Sequence, residues 1–514
     1  MLYMLIGIPL VGALLCLLIP NEEKSIQRFL GGFFSILTFA FSLALWLFLD
    51  SSKEGLNTPF GDVGSKTHFA IDNLSLCLVV LTTFLTVIVF LASSSIQERV
   101  KGYVVCVLLL ESAMLGAFLA LDVFVFYVFW ELMLIPMYFI IGMFGGHRRI
   151  YATMKFVLYT MVGSLVMLVA MLYLGNKIHE QLGHWSFAYG DFMSLKLSLK
   201  EQLLCFAAFA LAFGIKVPLF PFHTWLPDAH VEAPTTGSVI LAGVLLKFGA
   251  YGFLRFAIPF FPLAFAKAAP VLVLLALIGI LYGSLLAYAQ TDIKKLVAYS
   301  SVAHMGTVIL GIAFFNVASV TGAIFQMLAH GISTGGLFLC IGVLYERRHT
   351  RELSDFGGIM QKMPLFGAIF LVFVMASIGL PGLCGFIGEF LTLIGLFAPN
   401  RFGSSLEELT PMGPLVAFLA ALSVILGAVY MLSMTQKVLF GPISRKENEG
   451  LKDVTLKEAA YLVPMLLLAV VLGVFPRLVL NKISSVADSI VSKSTVLRKP
   501  PLLQPQPTTP AVRP

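Results

Sequence analysis

The chain has 514 residues, of which 59% are hydrophobic and only 12% are charged, and its mean hydropathy is +0.94. A water-soluble protein of this length needs far more charge to cover its surface, so the composition excludes a soluble globular enzyme. The formal net charge of +7 is scattered over the loops. This pattern excludes a concentrated nucleic-acid-binding patch.

Apolar runs of about 20 residues recur along the whole chain, and each is long enough to cross the roughly 30 Å hydrocarbon core of a membrane. The sequence therefore predicts an all-α polytopic membrane protein with about fourteen transmembrane helices. The predicted helices start near Leu2, Phe29, Asn73, Tyr103, Val123, Thr153, Glu201, Thr235, Ala269, Val297, Val320, Phe366, Leu415 and Ala459.

The basic residues in the predicted loops indicate the orientation of the chain, because lysine and arginine collect on the inner side of a membrane. Alternate loops, beginning with residues 20–28, hold most of them, and Lys155 and Lys294 are counted there. The opposite loops hold fewer, including Arg255. This bias predicts that both termini lie on the outer side.

Two of the apolar runs are interrupted by helix-breaking residues. The first, IKVPLFPFHTWLPDAHVEAP, contains Pro218 and Pro221, and the second, SIGLPGLCGFIGEF, contains Gly379 and Pro381. Proline removes a helix hydrogen bond and glycine loosens the backbone, so we predict discontinuous helices near 218–221 and 379–385.

Interruptions at corresponding places in two halves of a chain are typical of inverted-repeat transporters, in which the broken backbone lines a polar cavity. We therefore predict two inverted repeats of five helices, each with one discontinuous helix. The predicted divisions are helices 1–3 in residues 1–102, the first repeat in 103–257, the second repeat in 258–440, and the last helix with a proline-rich tail in 441–514.

Several ionisable residues lie inside the apolar runs, where a charge costs about 2.5–3.5 kcal/mol at the bilayer centre. They must be paired, hydrated or neutralised. A close carboxylate makes a buried lysine hold its proton more tightly, and the loss of that carboxylate releases it. The set predicts a proton relay, with a structural ion-pair network as the alternative, and Glu111 is a further buried acid without an assigned role. The relay candidates are Glu131, Lys216, Lys247, Glu389, His223, His304 and His330.

The six cysteines all lie in apolar runs, and no two of them form a C-x-x-C pair. The chain also has no G-x-G-x-x-G motif after a strand. We therefore expect no metal, iron–sulfur cluster, flavin or catalytic redox site in this chain, and we expect the cysteines to be small core residues.

Five segments together resemble the antiporter-like proton-translocating subunits of respiratory complex I, the NADH–quinone oxidoreductase, over nearly the whole chain. They are FWELMLIPMYFI, KVPLFPFHTWLPDAHVEAPT, LKFGAYGFLR, YSSVAHMG and GLPGLCGFIGEF. Related chains occur in multi-subunit cation/proton antiporters and membrane-bound hydrogenases. Glu389 stands where most antiporter-like subunits have a lysine, which resembles the M-type (chain 4) branch.

The resemblance implies a role for each candidate. Glu131 and Lys216 would form an ion pair that gates proton movement, Lys247 would be the central relay, and Glu389 the terminal site. The histidines at 223, 304 and 330 would link these groups, with water between them.

The resemblance also implies the setting in which the chain works. Partner subunits would hold the flavin and the iron–sulfur clusters, and flanking antiporter-like membrane subunits would contact this chain. The location would be a bacterial inner membrane or a plastid-type membrane. Two alternatives remain: an ion-gradient-driven subunit of a cation/proton antiporter or membrane-bound hydrogenase, and a purely structural scaffold.

Overall fold

The computed structural model describes residues 2–48, 69–398 and 410–496, and these residues form helices without any named β-strand. The first ten α-helices are α1 (Leu2–Leu18), α2 (Lys24–Phe48), α3 (Asn73–Leu91), α4 (Val100–Leu119), α5 (Val123–Leu132), α6 (Leu134–Phe144), α7 (Arg149–Leu182), α8 (Tyr189–Ser194), α9 (Leu199–Lys216) and α10 (Trp225–Glu232).

The next helices are α11 (Thr235–Ile240), α12 (Lys247–Gly252), α13 (Ile258–Phe260), α14 (Pro262–Tyr288), α15 (Ile293–Phe314), α16 (Val317–Arg348), α17 (Ile359–Lys362), α18 (Pro364–Ile378), α19 (Cys384–Gly395), α20 (Gly413–Leu439), α21 (Leu456–Val474) and α22 (Arg477–Val496). Two π-helical turns, Leu241–Leu245 and Phe253–Ala257, join α11, α12 and α13 into one span. Short 3₁₀ turns occupy Ala92–Ser95, Leu353–Asp355, Thr410–Met412 and Lys446–Asn448.

Eleven helical segments of the described ranges are long and apolar enough to cross a membrane, which agrees with a polytopic membrane protein. At the three other predicted positions the helices are shorter or broken: α1 has 17 residues, α9 ends at a lysine, and α18 and α19 are separate. The total of about fourteen spans therefore stays a prediction. The inverted repeats and the boundaries at 102, 257 and 440 stay predictions too.

The structure contains both interruptions that the prolines and glycines predict. Residues 217–224 separate α9 from α10, and the indole N–H of Trp225 donates a 2.9 Å hydrogen bond to the carbonyl of Ile215 across the break. Residues 379–383 separate α18 from α19, and Gly379 has a φ of +84°, which favours glycine. The first break directly follows Lys216, and Gly379 of the second break lies beside the carboxylate of Glu389, whereas residues 380–382 are exposed.

Three spans form the centre of the bundle, namely Thr235–Phe260, α15 and α16. Almost all residues in their most apolar stretches are buried inside the protein, whereas α7 and α20 bury only 39% and 33% of theirs. Lys247, His304 and His330 lie one on each central span. The fold therefore gathers these three candidates, which are far apart in sequence, in its interior.

The loop positions that we assign to three basic residues are wrong. Arg255 is 1% exposed inside the central span, Lys294 is buried in the first turn of α15, and Lys155 lies within α7. Each of these charges has a partner in the fold, namely Asp72 for Arg255, Asp228 for Lys155 and a backbone carbonyl for Lys294. Lys294, for example, donates a 2.6 Å hydrogen bond to the carbonyl of Ala233. The orientation of the termini stays a prediction, and the proline-rich tail lies outside the described residues.

The six cysteines are free thiols, five of them buried and Cys106 half-buried, which confirms that they are core residues. Within the described ranges, no group of three or more His, Cys, Asp or Glu side chains is placed to hold a metal ion.

Candidate functional site

Lys247 is fully buried at the start of α12, immediately after the π-helical turn Leu241–Leu245 and Leu246. Its ammonium group donates to the carbonyl of Ala242, inside that turn, and lies 2.7 Å from Nδ1 of His330 on α16. No carboxylate lies within ion-pair distance of Lys247 in the described part of the chain. A buried lysine that has only neutral partners is expensive to keep charged, which makes it a candidate for proton exchange.

The hydrogen bond to Lys247 determines the tautomer of His330. An ammonium group can only donate, so Nδ1 of His330 must accept, and a neutral His330 carries its proton on Nε2. Nε2 is buried, and no described residue hydrogen-bonds to it. The ring of His304 lies nearby, with a centroid separation of 5.7 Å. His330 therefore has one nitrogen facing a proton source and the other available to pass a proton on.

His304, on α15, is hydrogen-bonded through both ring nitrogens. Nδ1 lies 3.1 Å from Oε1 of Glu389, on α19 just beyond the second break, and Nε2 lies 3.3 Å from the hydroxyl of Ser377. The side-chain amide of Gln326 also donates to Oε1 of Glu389, at 3.3 Å. This pair is a proton donor and acceptor in contact, and a proton can move between them without a change of fold.

A small polar cavity adjoins the pair. It has a volume of about 10 Å³, and its lining includes His304, Ser377, Glu389, Ser423 and Tyr430. That volume is close to the minimum that one water molecule needs, and the lining offers several hydrogen-bonding partners. The site around Glu389 can therefore be hydrated.

Together these contacts form a polar series from Lys247 through His330 and His304 to Glu389. Two of its three links are hydrogen-bond contacts, at 2.7 and 3.1 Å, and the ring-to-ring step is the longest. Four of the seven predicted site residues are thus brought together. The remaining three, Glu131, Lys216 and His223, are placed elsewhere in the bundle.

Lys216 is buried at the end of α9 but is not in direct contact with Glu131. The two side chains form no ion pair within 4 Å, although Glu131 is the carboxylate whose field acts on the lysine. The ammonium group lies 5.0 Å from the centre of the Trp130 ring and 5.8 Å from that of Phe156. Aromatic faces attract cations, so the rings stabilise the lysine at a site where no carboxylate touches it.

His223 lies in the first break and also has no direct link to Lys216. It is buried between two rings, Phe220 and Tyr282, each 5.7 Å away. Nδ1 is buried and has no hydrogen-bond partner among the described residues. On the same side of the bundle, Lys155 forms a 2.7 Å salt bridge with Asp228.

The helices that carry Lys216 and Lys247 touch through their backbones. A Cβ atom at Gly249 would collide with the carbonyl oxygen of Phe213 and with Val217. The absence of a side chain at Gly249 therefore allows α12 to lie directly against the end of α9. This contact brings the two lysine-bearing segments together without a polar link between the lysines.

Sequence reasoning missed a buried ion pair on the same span as Lys247. Arg255 Nη2 lies 2.5 Å from Oδ2 of Asp72, and the two residues are 1% and 2% exposed. Nε of Arg255 donates to the hydroxyl of Tyr251, which in turn donates to the carbonyl of Phe118. Both residues lie at the ends of apolar runs, so hydropathy alone places them in loops, and no local signal marks them as partners.

Sequence reasoning also missed His230, which lies within α10, seven residues after His223. It is fully buried, its ring stacks on Phe338 at 4.8 Å, and neither nitrogen has a hydrogen-bond partner in the described structure. It lies within electrostatic range of Lys247. A histidine in the polar segment PDAHVEAP has no hydropathy signal, so only the fold places it beside the relay. Glu111 is likewise buried, with both oxygens unpartnered among the described residues.

Comparison with known proteins identifies the relatives of this chain. Residues 120–405 match the family described as NADH:quinone oxidoreductase/Mrp antiporter, TM. NADH-quinone oxidoreductase subunit M of Rickettsia prowazekii is 42% identical over 499 residues, which cover 95% of this chain and 98% of that protein. The subunit M of Rhodobacter capsulatus is 44% identical over 459 residues, with 87% of each chain covered.

A solved structure has the same fold over almost the full length. It is the respiratory complex I from Thermus thermophilus with bound NADH, in which one chain superposes with a TM-score of 0.83 at 34% sequence identity. The match covers 96% of this chain and 99% of that chain. Both the family match and the near-complete coverage by subunit M proteins support one assignment. This chain belongs to the NADH:quinone oxidoreductase/Mrp antiporter transmembrane family, in its NADH-quinone oxidoreductase subunit M (chain 4) branch.

Proposed function

We propose that this chain is a proton-translocating membrane subunit of an NADH–quinone oxidoreductase, and that protons move along Lys247, His330, His304 and Glu389. The observation that carries the proposal is the polar series that joins these four residues through the centre of the bundle. Each member can gain or lose a proton. Lys247 and His330 are buried, and the side chains of His304 and Glu389 are only 10% and 12% exposed.

The transfer proceeds by exchange of protons along the series. Lys247 gives a proton to Nδ1 of His330 while His330 releases its Nε2 proton towards His304. His304 then gives its Nδ1 proton to the carboxylate of Glu389. The centroids of the two rings are 5.7 Å apart, and we propose that this longer step proceeds through a water molecule. A lysine suits the first position because it can become neutral, whereas an arginine stays charged.

Glu131, Lys216 and His223 form the first half of the proposed pathway. When Glu131 approaches Lys216, the lysine holds its proton, and when the pair separates, the proton is released towards Lys247. One pK unit corresponds to about 1.36 kcal/mol, and moving one charge against 100 mV needs about 2.3 kcal/mol. A change of a few pK units at Lys216 is therefore enough to move a proton against such a potential.

The chain contributes no redox chemistry of its own under this proposal. NADH oxidation, with the flavin and iron–sulfur clusters that it requires, belongs to partner subunits, and other membrane subunits flank this one. We further propose two inverted five-helix repeats, a bacterial-type inner membrane as the location, and both termini on its outer side. The sequence similarity to subunit M proteins supports this setting.

A substitution at Lys247 tests the proposal. In vesicles that contain the assembled complex, Lys247→Ala should lower NADH-driven proton uptake at least about tenfold, because the series loses its first proton carrier. Lys247→Arg should lower it too, because arginine keeps its proton. Lys457→Ala, which changes an exposed lysine at the start of α21, is the matched control and should pump normally. Proton uptake and NADH oxidation are followed in the same vesicles.

Normal pumping by an assembled Lys247→Ala complex would contradict the relay. The antiporter alternative predicts a different result: a sodium gradient alone, without NADH, would drive proton movement in the wild-type vesicles. A structural scaffold predicts that Lys247→Ala and Lys457→Ala behave alike.

A further inference from the structure

An apolar groove of about 500 Å³ opens on the side of the bundle between α2 and α21. Its floor is made of buried residues of α3 and α16, such as Leu81 and Ile332, and its rims are exposed residues such as Leu43 and Leu467. All the side chains that line it are apolar. The groove belongs to no part of the proton pathway, and in a membrane it faces hydrocarbon.

One end of the groove has a positively charged border. Leu478 and Val479, at the start of α22, close this end, and Trp46 lines it from α2. The ammonium group of Lys482 lies 5.0 Å from the centre of the Trp46 ring. Tryptophan and lysine collect at the level of the lipid headgroups, where the apolar part of each side chain is buried and its polar end reaches water. The pair therefore marks the depth at which a lipid headgroup would sit.

Lys482 also lacks a partner of opposite charge among the residues that the structure describes, since no carboxylate there lies within ion-pair distance of it. It is half-buried, and the exposed Arg477 adds a second positive charge to the same helix. An anionic group placed beside Trp46 would meet an ammonium group that no described carboxylate contacts. Charge complementarity therefore favours a negatively charged headgroup over a zwitterionic one.

An apolar groove that ends at a positive charge matches the two parts of an anionic phospholipid, because the lining side chains can contact an acyl chain and Lys482 can contact a phosphate. We propose that the groove binds one acyl chain of an anionic phospholipid, whose phosphate contacts Lys482. This proposal does not depend on the proton pathway.

The bound chain would lie against the back of a relay helix. Leu328 and Ile332, which line the groove, stand two residues before and two residues after His330 on α16. Leu81, in the floor, packs against Gly331. The lipid would thus fill the space behind the helix that presents His330.

A tryptophan placed in the groove tests the acyl-chain site. The complex is purified in detergent, stripped of loosely held lipid, titrated with dioleoyl phosphatidylglycerol or dioleoyl phosphatidylcholine, and examined by native mass spectrometry. Val471→Trp fills the groove and should remove one bound phosphatidylglycerol. Val463→Trp is the matched control, because Val463 lies on the same helix, is 39% exposed against 37% for Val471, and does not line the groove.

A second pair of variants tests the headgroup contact. Lys482→Gln should lower the preference for phosphatidylglycerol over phosphatidylcholine about fivefold, the effect expected for one basic residue near a lipid surface. Lys457→Gln, which changes a lysine at the start of α21 outside the groove lining, should leave that preference unchanged. The proposal is overturned if Val471→Trp and Val463→Trp bind equal lipid, or if Lys482→Gln keeps the full preference. It is also overturned if Val471→Trp releases a neighbouring subunit instead of a lipid, because the groove would then hold that subunit's side chains.

Discussion

Arg255 and Lys247 are buried cations on one helical span, two turns apart, yet their surroundings differ completely. Arg255 contacts the carboxylate of Asp72 at 2.5 Å and also the hydroxyl of Tyr251. Lys247 contacts a backbone carbonyl and the neutral ring of His330. Eight residues of helix separate them by about 12 Å. Burial alone therefore does not distinguish a cation with a structural role from one that exchanges its proton.

The groups that contact each cation explain why Arg255 and Lys247 behave differently. Arginine stays protonated, so the pair with Asp72 is a permanent ion pair that ties the central span to the start of α3. Lysine with neutral partners is held less firmly in its charged form, so it can exchange its proton with the next group. One span thus carries a fixed charge that supports the structure and an exchangeable charge that serves the proposed function.

The largest effect is expected when the fixed pair is broken. Asp72→Asn leaves Arg255 buried without its carboxylate, which should cost about 3–5 kcal/mol of stability. Asparagine caps helices as well as aspartate does, so the start of α3 is kept. The thermal midpoint and the yield of assembled complex should both fall, whereas the exposed control Asp488→Asn should change neither. An unchanged midpoint would show that the ion pair is not structural.

The second-largest effect is expected when the proposed proton pathway is interrupted. His304→Ala removes the contact with Glu389, and proton uptake per NADH should fall on the order of a hundredfold, the size of a lost acid–base group. The thermal midpoint should change little, in contrast to Asp72→Asn. His184→Ala is the control, since that side chain is 57% exposed. If both histidine variants pump equally well, His304 does not carry protons.

A smaller effect is expected at Lys216, where an aromatic ring takes the place of a direct partner. Trp130→Leu removes the ring that lies 5.0 Å from the ammonium group, and proton uptake per assembled complex should fall roughly two- to fivefold. Trp130→Phe keeps a ring and should recover most of the rate. Trp185→Leu, at a 55% exposed tryptophan, is the control. Equal rates in Trp130→Leu and Trp130→Phe would show that the ring's charge distribution is unimportant.

The sequence predicts much of this architecture because its strongest signals are local. A lysine in the middle of an apolar run, as at Lys247, conflicts with hydropathy, and so does a proline such as Pro218. The helix breaks and the burial of these charges follow directly from such conflicts. The sequence therefore indicates seven relay residues, and the fold brings four of them, Lys247, His330, His304 and Glu389, into one series.

Which two side chains contact each other depends on the whole fold, so such contacts are harder to predict from the sequence. Asp72 and Arg255 are 183 residues apart, and each lies near the end of an apolar run, where a charge is unremarkable. His230 sits in a polar segment and becomes notable only because the fold buries it. The contact that we expect between Glu131 and Lys216 depends on side-chain positions a few ångströms apart, which no spacing rule determines.

Protonation of Glu389 at the end of the series tests the central claim most directly. Infrared difference spectra of the complex, recorded after NADH is added, should contain a carboxyl band that disappears in Glu389→Gln. If protons reach Glu389 through Lys247 and the two histidines, the same band should also be lost in Lys247→Ala while Glu389 itself is intact. A Glu389 band that persists at full size in Lys247→Ala would contradict the proposed relay.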